Sequence, residues 1–305
     1  MNIEPLSKHV GTLVSSTDHA DIRSVDTDKA IELFRASGAV LFRGFEVEVD
    51  RFEEFTNRFS NDYMDNTGSG SYRETINPDG DKTIQSVSYS FGTNQQRTFG
   101  LPLHADRSYT KSQPPMMWFY CVNPARSEGE TIICDGAAIY RNLSESTRSL
   151  FEQKRLKYIR HYSDDQWQVL YHTDDLKEVE RICRENDFDL RVGEDRSIHT
   201  EFVKPAIVNS KWGSQKVFVN SILIVQWQED DLGRTVSIVR LEDGSRIPDD
   251  VLEEIKEVTD RLSFDVKWKP KDLLMVDNTR LMHGRRSFTD ANRQIYVRMC
   301  RSVEW

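Results

Sequence analysis

No apolar run in the sequence approaches the roughly 20 residues a helix needs to cross a bilayer. Only 37% of the 305 residues are hydrophobic, against 30% charged. These features exclude a membrane-spanning helix and describe a soluble globular chain long enough to bury a sizeable core. Cysteine is scarce. Cys121, Cys134, Cys183 and Cys300 lie far apart with no paired spacing, which argues against a disulfide framework or a zinc site and reads as reduced core thiols in a cytoplasmic protein. Basic blocks are missing too: 41 Lys and Arg against 50 Asp and Glu leave a net charge of −9, which argues against a nucleic-acid partner. The opening MNIEPLSKHVGTL lacks the charged start and apolar core of a secretion signal, so export is not expected. No repeat, low-complexity tract or linker divides the chain, and residues 1–305 read as one domain.

The chain shows strands at both ends around a middle rich in helix and loop. Asp28 to Ser37 reads as a helix closed by Gly38, followed by a strand over Ala39 to Phe42, and Arg51 to Phe59 has helical spacing. Residues 60–100 are rich in Gly, Asn, Ser and Thr and weakly patterned, as a lid over a site would be. Trp118 to Val122 and Thr131 to Cys134 read as paired strands joined by a turn over residues 124–129. Residues from about 140 to 215 form a helix and loop insert, with charged amphipathic helices over Ser144 to about Lys157 and again after Thr173. Lys216 to Trp227 reads as a strand, and Asp249 to Leu262 as a helix opened by Pro248.

The stretch Asp272 to Arg298 anchors the functional reading. Leu273 to Val276 is a short apolar run suited to a buried strand, Asp277, Asn278 and Gly284 punctuate the chain, and Arg293 opens a second run that can return alongside the first. His283 and Arg293 held on neighbouring strands suit a metal ion with an anionic co-ligand behind it. A non-haem iron(II) site with an open face uses two His and one carboxylate, written as His-x-Asp or His-x-Glu plus a distant His. Seven histidines supply four such pairs: His19 with Asp21, His104 with Asp106, His172 with Asp174, and His199 with Glu201. Context selects one of them. His19 precedes any candidate core strand, His172 adjoins a helix start, and nothing beside His199 indicates a cavity. His104 and Asp106 follow the lid-like region and lead into an aromatic strand, and in a strand residues i and i+2 share a side.

Leu103-His104-Ala105-Asp106, Gly129-Glu130-Thr131, Asp272-Leu273-Leu274, Asp277-Asn278 with His283-Gly284-Arg285, and Arg293 together resemble the taurine dioxygenase (TauD/TfdA-like) family of iron(II)- and 2-oxoglutarate-dependent oxygenases. The spacing is similar as well, with a Thr 27 residues after the first His and an Arg 10 residues after the distal one. The resemblance covers roughly residues 30 to 300. It implies a mainly β chain with α-helices (α+β): a double-stranded β-helix, or jelly roll, flanked by helices and carrying the metal at one open end. It implies that His104, Asp106 and His283 bind Fe(II) and that Arg293 and Thr131 bind the far carboxylate of 2-oxoglutarate. With O2, the keto acid would be decarboxylated to succinate and CO2 while a substrate C–H bond is oxidised. Asp106 stands where a family halogenase would carry a small residue, which favours oxygenation, desaturation or cyclisation over chlorination. The C-terminal half is more similar to the branch acting on amino-acid-derived metabolites.

Each assignment has a plainer counterpart. His283 could be a satisfied core histidine, Arg293 could pair with Asp290, and Thr131 could be an ordinary strand threonine. The family often has a second Arg four places after the first; here that place is Val297, which leaves Arg298 and Arg301 as competitors of Arg293. Arg285 and Arg286 read as structural or solvated, and Trp118, Phe119 and Tyr120 as core. Tyr72, Arg73, Phe91, Asn94, Gln95 and Arg107 are candidates for lining a substrate pocket. A small amino-acid-like molecule, free or on a carrier protein, is the expected substrate. Two other functions use the same residues: a cupin-like metal hydrolase or isomerase, which needs neither Arg293 nor Thr131, and a non-catalytic jelly-roll binding protein.

Overall fold

The computed structural model describes all residues except 66–72, 77–80, 88–97, 234–235 and 291. Two sheets face each other across an apolar core. The larger runs in the order Asn2–Pro5, Thr12–Ser15, Ala39–Arg43, Leu273–Asp277, Met116–Asn123, Gln294–Cys300, Ile84–Ser86, Glu74–Thr75, with Tyr63–Met64 also on Gln294–Cys300. The smaller has Phe264–Val266, Thr131–Asp135, Leu281–Arg285 and Leu101–His104 in that order. Leu41, Met117, Phe119, Leu274, Val276, Ile295, Val297 and Met299 of the first sheet meet Ile133, Val266 and Leu281 of the second. Alternation decides which residues do this: odd-numbered positions of Gln294–Cys300 point inward, while Tyr296 and Cys300 pack on the outer, aromatic-rich layer. This is the jelly-roll arrangement.

Helices cover both outer faces. Thr27–Ser37 starts where the Asp26 carboxylate accepts from the Lys29 N–H and stops at Gly38, whose φ of 75° is left-handed. Its Phe34 lies in the same outer layer as Phe52 and Phe55 of helix Val49–Asn57 and as Phe42 and Trp118 of the sheet. Gly136–Asn142, Ile222–Asp230 and Asp249–Leu262 cover the smaller sheet through Ile139, Ile222 and Ile255, packed with Ile132, Cys134 and Met282. No described helix is long and apolar enough to cross a membrane.

Several expectations need correction. Met116–Asn123 and Thr131–Asp135 are not paired; they lie in opposite sheets, because Phe119 and Ile133 bury their side chains against each other's layer. Gln294–Cys300 and Leu273–Asp277 share a sheet but are separated by Met116–Asn123. His283 lies in the other sheet, within Leu281–Arg285 and not at a turn, and Arg293 directly precedes the strand Gln294–Cys300 of the larger sheet, so the two are not on neighbouring strands. The region from 140 to 215 contains three strands of a further four-stranded sheet, Asp189–Val192, Ile198–Lys204 and Leu156–Tyr162, completed by Ser237–Leu241. Leu156, Tyr158, Arg160 and Tyr162 are buried at a period of two, and this pattern ends the helix at Gln153. In 216–227 only Lys216–Phe218 is strand; the Asn220 side chain accepts from the Ile222 N–H and a buried helix begins. A short apolar run suits either state. Within 60–100, three short described segments are strands at one end of the large sheet.

Candidate metal centre

His104 ends the strand Leu101–His104 and pairs directly with His283 on Leu281–Arg285. Their rings lie 4.6 Å apart, and Phe119 sets its ring edge-on to His283 at 5.3 Å. Gly284 permits this pairing, because a Cβ there would come within 2.6 Å of the Leu101 carbonyl oxygen. Asp106 follows in a turn held by Asn278: the Asn278 side chain accepts from the Asp106 N–H and donates to the Asp106 carbonyl, both at 2.9 Å. The sequence stretch Asp277-Asn278 thus fixes a carboxylate 172 residues away.

The three side chains converge. One ligand atom from each of His104, Asp106 and His283 lies within 4.8 Å of the others, and all three residues are buried. The Asp106 carboxylate is 3.9 Å from His104 Nε2 and 3.6 Å from His283 Nε2. His104 Nδ1 is 2.8 Å from the Pro102 carbonyl, which can only accept, so Nδ1 carries the proton and Nε2 presents its lone pair. Burial, then the neighbouring His283, pushes the His104 pKa down to about 4, so the ring is neutral near pH 7. Burial alone would raise the Asp106 pKa, but Arg73 and the two imidazoles hold it well below the usual carboxylate range. Two imidazole nitrogens and an ionised carboxylate, all aimed at one point, fit a divalent cation.

Arg73 caps the carboxylate. Its Nη2 donates to both Asp106 oxygens at 2.9 and 2.7 Å, and its Nη1 lies 3.3 Å from Met299 Sδ. It is therefore bound to a metal-ligand candidate and does not point into an open subsite. Arg107 is buried, has a left-handed φ of 56° and touches Met64 Sδ at 3.2 Å. Tyr72, Phe91, Asn94 and Gln95 lie outside the described residues.

Arg293 is 2% exposed; its Nε donates to the Gly129 carbonyl at 2.8 Å and its guanidinium stacks 5.1 Å from the Phe288 ring. Burial pushes its pKa down to about 10, still far above neutrality. Asp290 does not pair with its side chain; that carboxylate accepts from the backbone of Arg126 and Asn292. The two competitors of Arg293 are engaged elsewhere. Arg298 points to the outer face, against Asp81, Thr56, Thr83 and the Tyr63 ring, and Arg301 bonds to Asp62. The Thr131 hydroxyl accepts from the Trp268 indole N–H at 3.0 Å, which directs its own proton elsewhere.

Two features escaped the sequence reading. Arg285 is buried on the inward face of the same strand as His283, cross-strand from Thr131, with its guanidinium 5.1 Å from Phe288. Its separation of two residues from His283 was the available signal. Arg286, one residue on, pairs with Asp265 at the surface. The second feature is the Trp268 contact, to which sequence spacing gave no clue. Among the described residues, the other three His-x-acid pairs gather no third ligand group: His199 lies beside its own Glu201 at 3.3 Å, Asp21 binds Arg23 and Arg51, and His172 precedes the helix that Asp175 caps.

A jelly roll that gathers two imidazoles and a carboxylate opposite a buried arginine has the make-up of the iron(II)- and 2-oxoglutarate-dependent oxygenases. The chain belongs to the taurine catabolism dioxygenase TauD, TfdA family, which matches residues 2–301. It is 26% identical to the dapdiamide synthesis protein DdaC of Enterobacter agglomerans, over 94% of this chain and 91% of that one. It is 25% identical to a clavaminate synthase-like protein of Arabidopsis thaliana, over 88% and 83%. Among solved structures it superposes on PvcB of Pseudomonas aeruginosa with a TM-score of 0.63 at 14% identity, covering 98% of this chain and 90% of that one. With AAD-2, solved with Mn(II) and N-oxalylglycine, the TM-score is 0.60 at 13% identity, covering 99% and 98%. The chain is a 2-oxoglutarate-dependent dioxygenase, with Fe(II) as its metal and 2-oxoglutarate and O2 as co-substrates.

Proposed function

We propose that this dioxygenase oxidises an unactivated C–H bond of a small amino-acid-like metabolite, by hydroxylation, with desaturation or cyclisation as other outcomes of the same C–H cleavage. His104, Asp106 and His283 hold the metal, and their convergence to within 4.8 Å is the observation that carries the reading. When bound, iron supplies the redox chemistry that couples decarboxylation of the keto acid to substrate oxidation. The neutral His104 ring binds without first losing a proton, and Asp106 brings the one negative charge of the set. Three protein donors on one side leave the other side open to small molecules. Arg293 offers a planar fork to the far carboxylate of the keto acid, and Thr131 adds a hydroxyl donor oriented by Trp268. Phe119 packs edge-on against the His283 ring and shares the core between the sheets with Val297, apolar surroundings that would keep water from the site.

Relatives named as a dapdiamide synthesis protein and as a 3-((Z)-2-isocyanoethenyl)-1H-indole synthase support a nitrogen-containing specialised metabolite as substrate, free or on a carrier. The test is a panel of amino acids, their amides and related metabolites, scored for substrate-stimulated succinate release with Fe(II) and O2. Stimulation by one member with matching loss of that compound supports the reading. Succinate release that no nitrogen-containing compound stimulates, while an unrelated acid does, overturns it.

A further inference from the structure

Gln85 is a polar residue that the fold buries completely and that finds no hydrogen-bond partner among the described residues. Its exposure is 0%, and both its Oε1 and its Nε2 are unpartnered there. Stranding a buried amide in this way is costly, and folded chains rarely do so without a reason.

Register shows where the side chain points. One cross-strand row of the large sheet reads Leu41, Leu274, Phe119, Val297, Gln85, Thr75. Directly opposed residues share a face, and Leu41, Leu274, Phe119 and Val297 all lie in the core between the sheets. Gln85 therefore faces the same interior. Phe119 of this row touches the His283 ring. One row over, Met299 lies against the Arg73 guanidinium whose other nitrogen holds Asp106. The metal centre thus lies across from Val297 and Met299, and Arg293 immediately precedes the same strand, four residues before Val297. A five-carbon keto diacid reaching from the metal to Arg293 passes Val297, with its metal-chelating end beside Gln85.

We propose that Gln85 is a co-substrate-binding residue whose amide Nε2 donates to the metal-chelating carboxylate of 2-oxoglutarate. It does so from the strand beside Val297, the place where the family often has a second arginine. Because neither end of the amide is engaged, it is free to turn either way. Its Oε1 would accept from a water or substrate donor that enters with the keto acid. The inference rests on the 2-oxoglutarate reading, and its test separates the two.

The Fe(II)-loaded protein is titrated with 2-oxoglutarate without oxygen, following the visible charge-transfer absorption of the chelate, and the Mn(II)-loaded protein is titrated calorimetrically with N-oxalylglycine. Loss of one hydrogen bond to a charged group predicts that Gln85→Leu weakens both about 10-fold or more. Gln85→Glu, which sets a carboxylate against a carboxylate, weakens them further. The metal-free Gln85→Leu protein should melt a few degrees higher, roughly 2–4 °C, because an unsatisfied amide has been removed. Unchanged affinities in Gln85→Leu overturn the proposal, as does a lower melting temperature, which would mark Gln85 as a structural residue. A wild-type protein that shows no absorption and binds no N-oxalylglycine overturns this proposal together with the co-substrate reading. A wild-type protein that binds both ligands, beside an unaltered variant, overturns this proposal alone.

Discussion

Replacing Arg73 with methionine should weaken the metal-free protein and strengthen its hold on a metal. Arg73 and Asp106 form a bidentate pair with side chains 11% and 8% exposed. Removing one partner of such a pair leaves a buried charge uncompensated, at a cost of about 3–5 kcal/mol. Taking the lower end, the metal-free variant should melt about 6 °C lower. A divalent cation supplies the same compensation to Asp106, so with saturating Mn(II) the cost should shrink to about 1 kcal/mol, the remaining hydrogen bond. Thermodynamic linkage turns that difference of about 2 kcal/mol into tighter Mn(II) binding by the variant, roughly 30-fold. Melting curves with and without Mn(II), together with a direct Mn(II) titration, measure both sides of the cycle. A variant that binds Mn(II) more weakly than the wild type would refute this reasoning and make Arg73 an orienting group for the carboxylate.

Three further outcomes follow from the geometry. Gly284→Ala should push apart the strands that pair His104 with His283, since its Cβ would meet the Leu101 carbonyl at 2.6 Å; Mn(II) affinity should fall at least about 10-fold, read by titration. Trp268→Phe removes the donor that orients the Thr131 hydroxyl and should weaken 2-oxoglutarate binding about 3- to 10-fold at unchanged metal affinity, checked by anaerobic titration. Lys204, donating to Gln113, has its pKa pushed down by burial from 10.5 to about 8. A depressed base contributes stability above its unfolded pKa and loses it as pH falls through the folded value, so Lys204→Met should be the more stable protein at pH 7, by up to about 3 kcal/mol. The advantage should vanish above about pH 10.5, and chemical denaturation at the two pH values checks it.

What the sequence made legible was local or carried by a motif. The helix ending at Ser37 could be read because Gly38 closes it; His104 and Asp106 do converge, but the expected strand alternation is not the cause, since the strand stops at His104 and a turn held by Asn278 aims the carboxylate. Asn278 stood in a recognised stretch, although its grip on the Asp106 backbone spans 172 residues and has no local sign. The run after Lys216 misled because an apolar segment buried all round reads alike as strand or helix. Pairing Trp118–Val122 with Thr131–Cys134 failed for a different reason: both are apolar strands close in sequence, and only the sandwich core decides that they face rather than adjoin. Gln85 carries no motif at all. Its place is set by three strand registers and by a missing partner, which are properties of the folded chain alone.

The position of a bound metal is the most direct measurement of this centre. Crystals grown with Fe(II) under anaerobic conditions and measured at the iron absorption edge should show one strong anomalous peak, within coordination distance of His104 Nε2, the Asp106 carboxylate and His283 Nε2. A peak elsewhere, or none at that point with iron in excess, would contradict it.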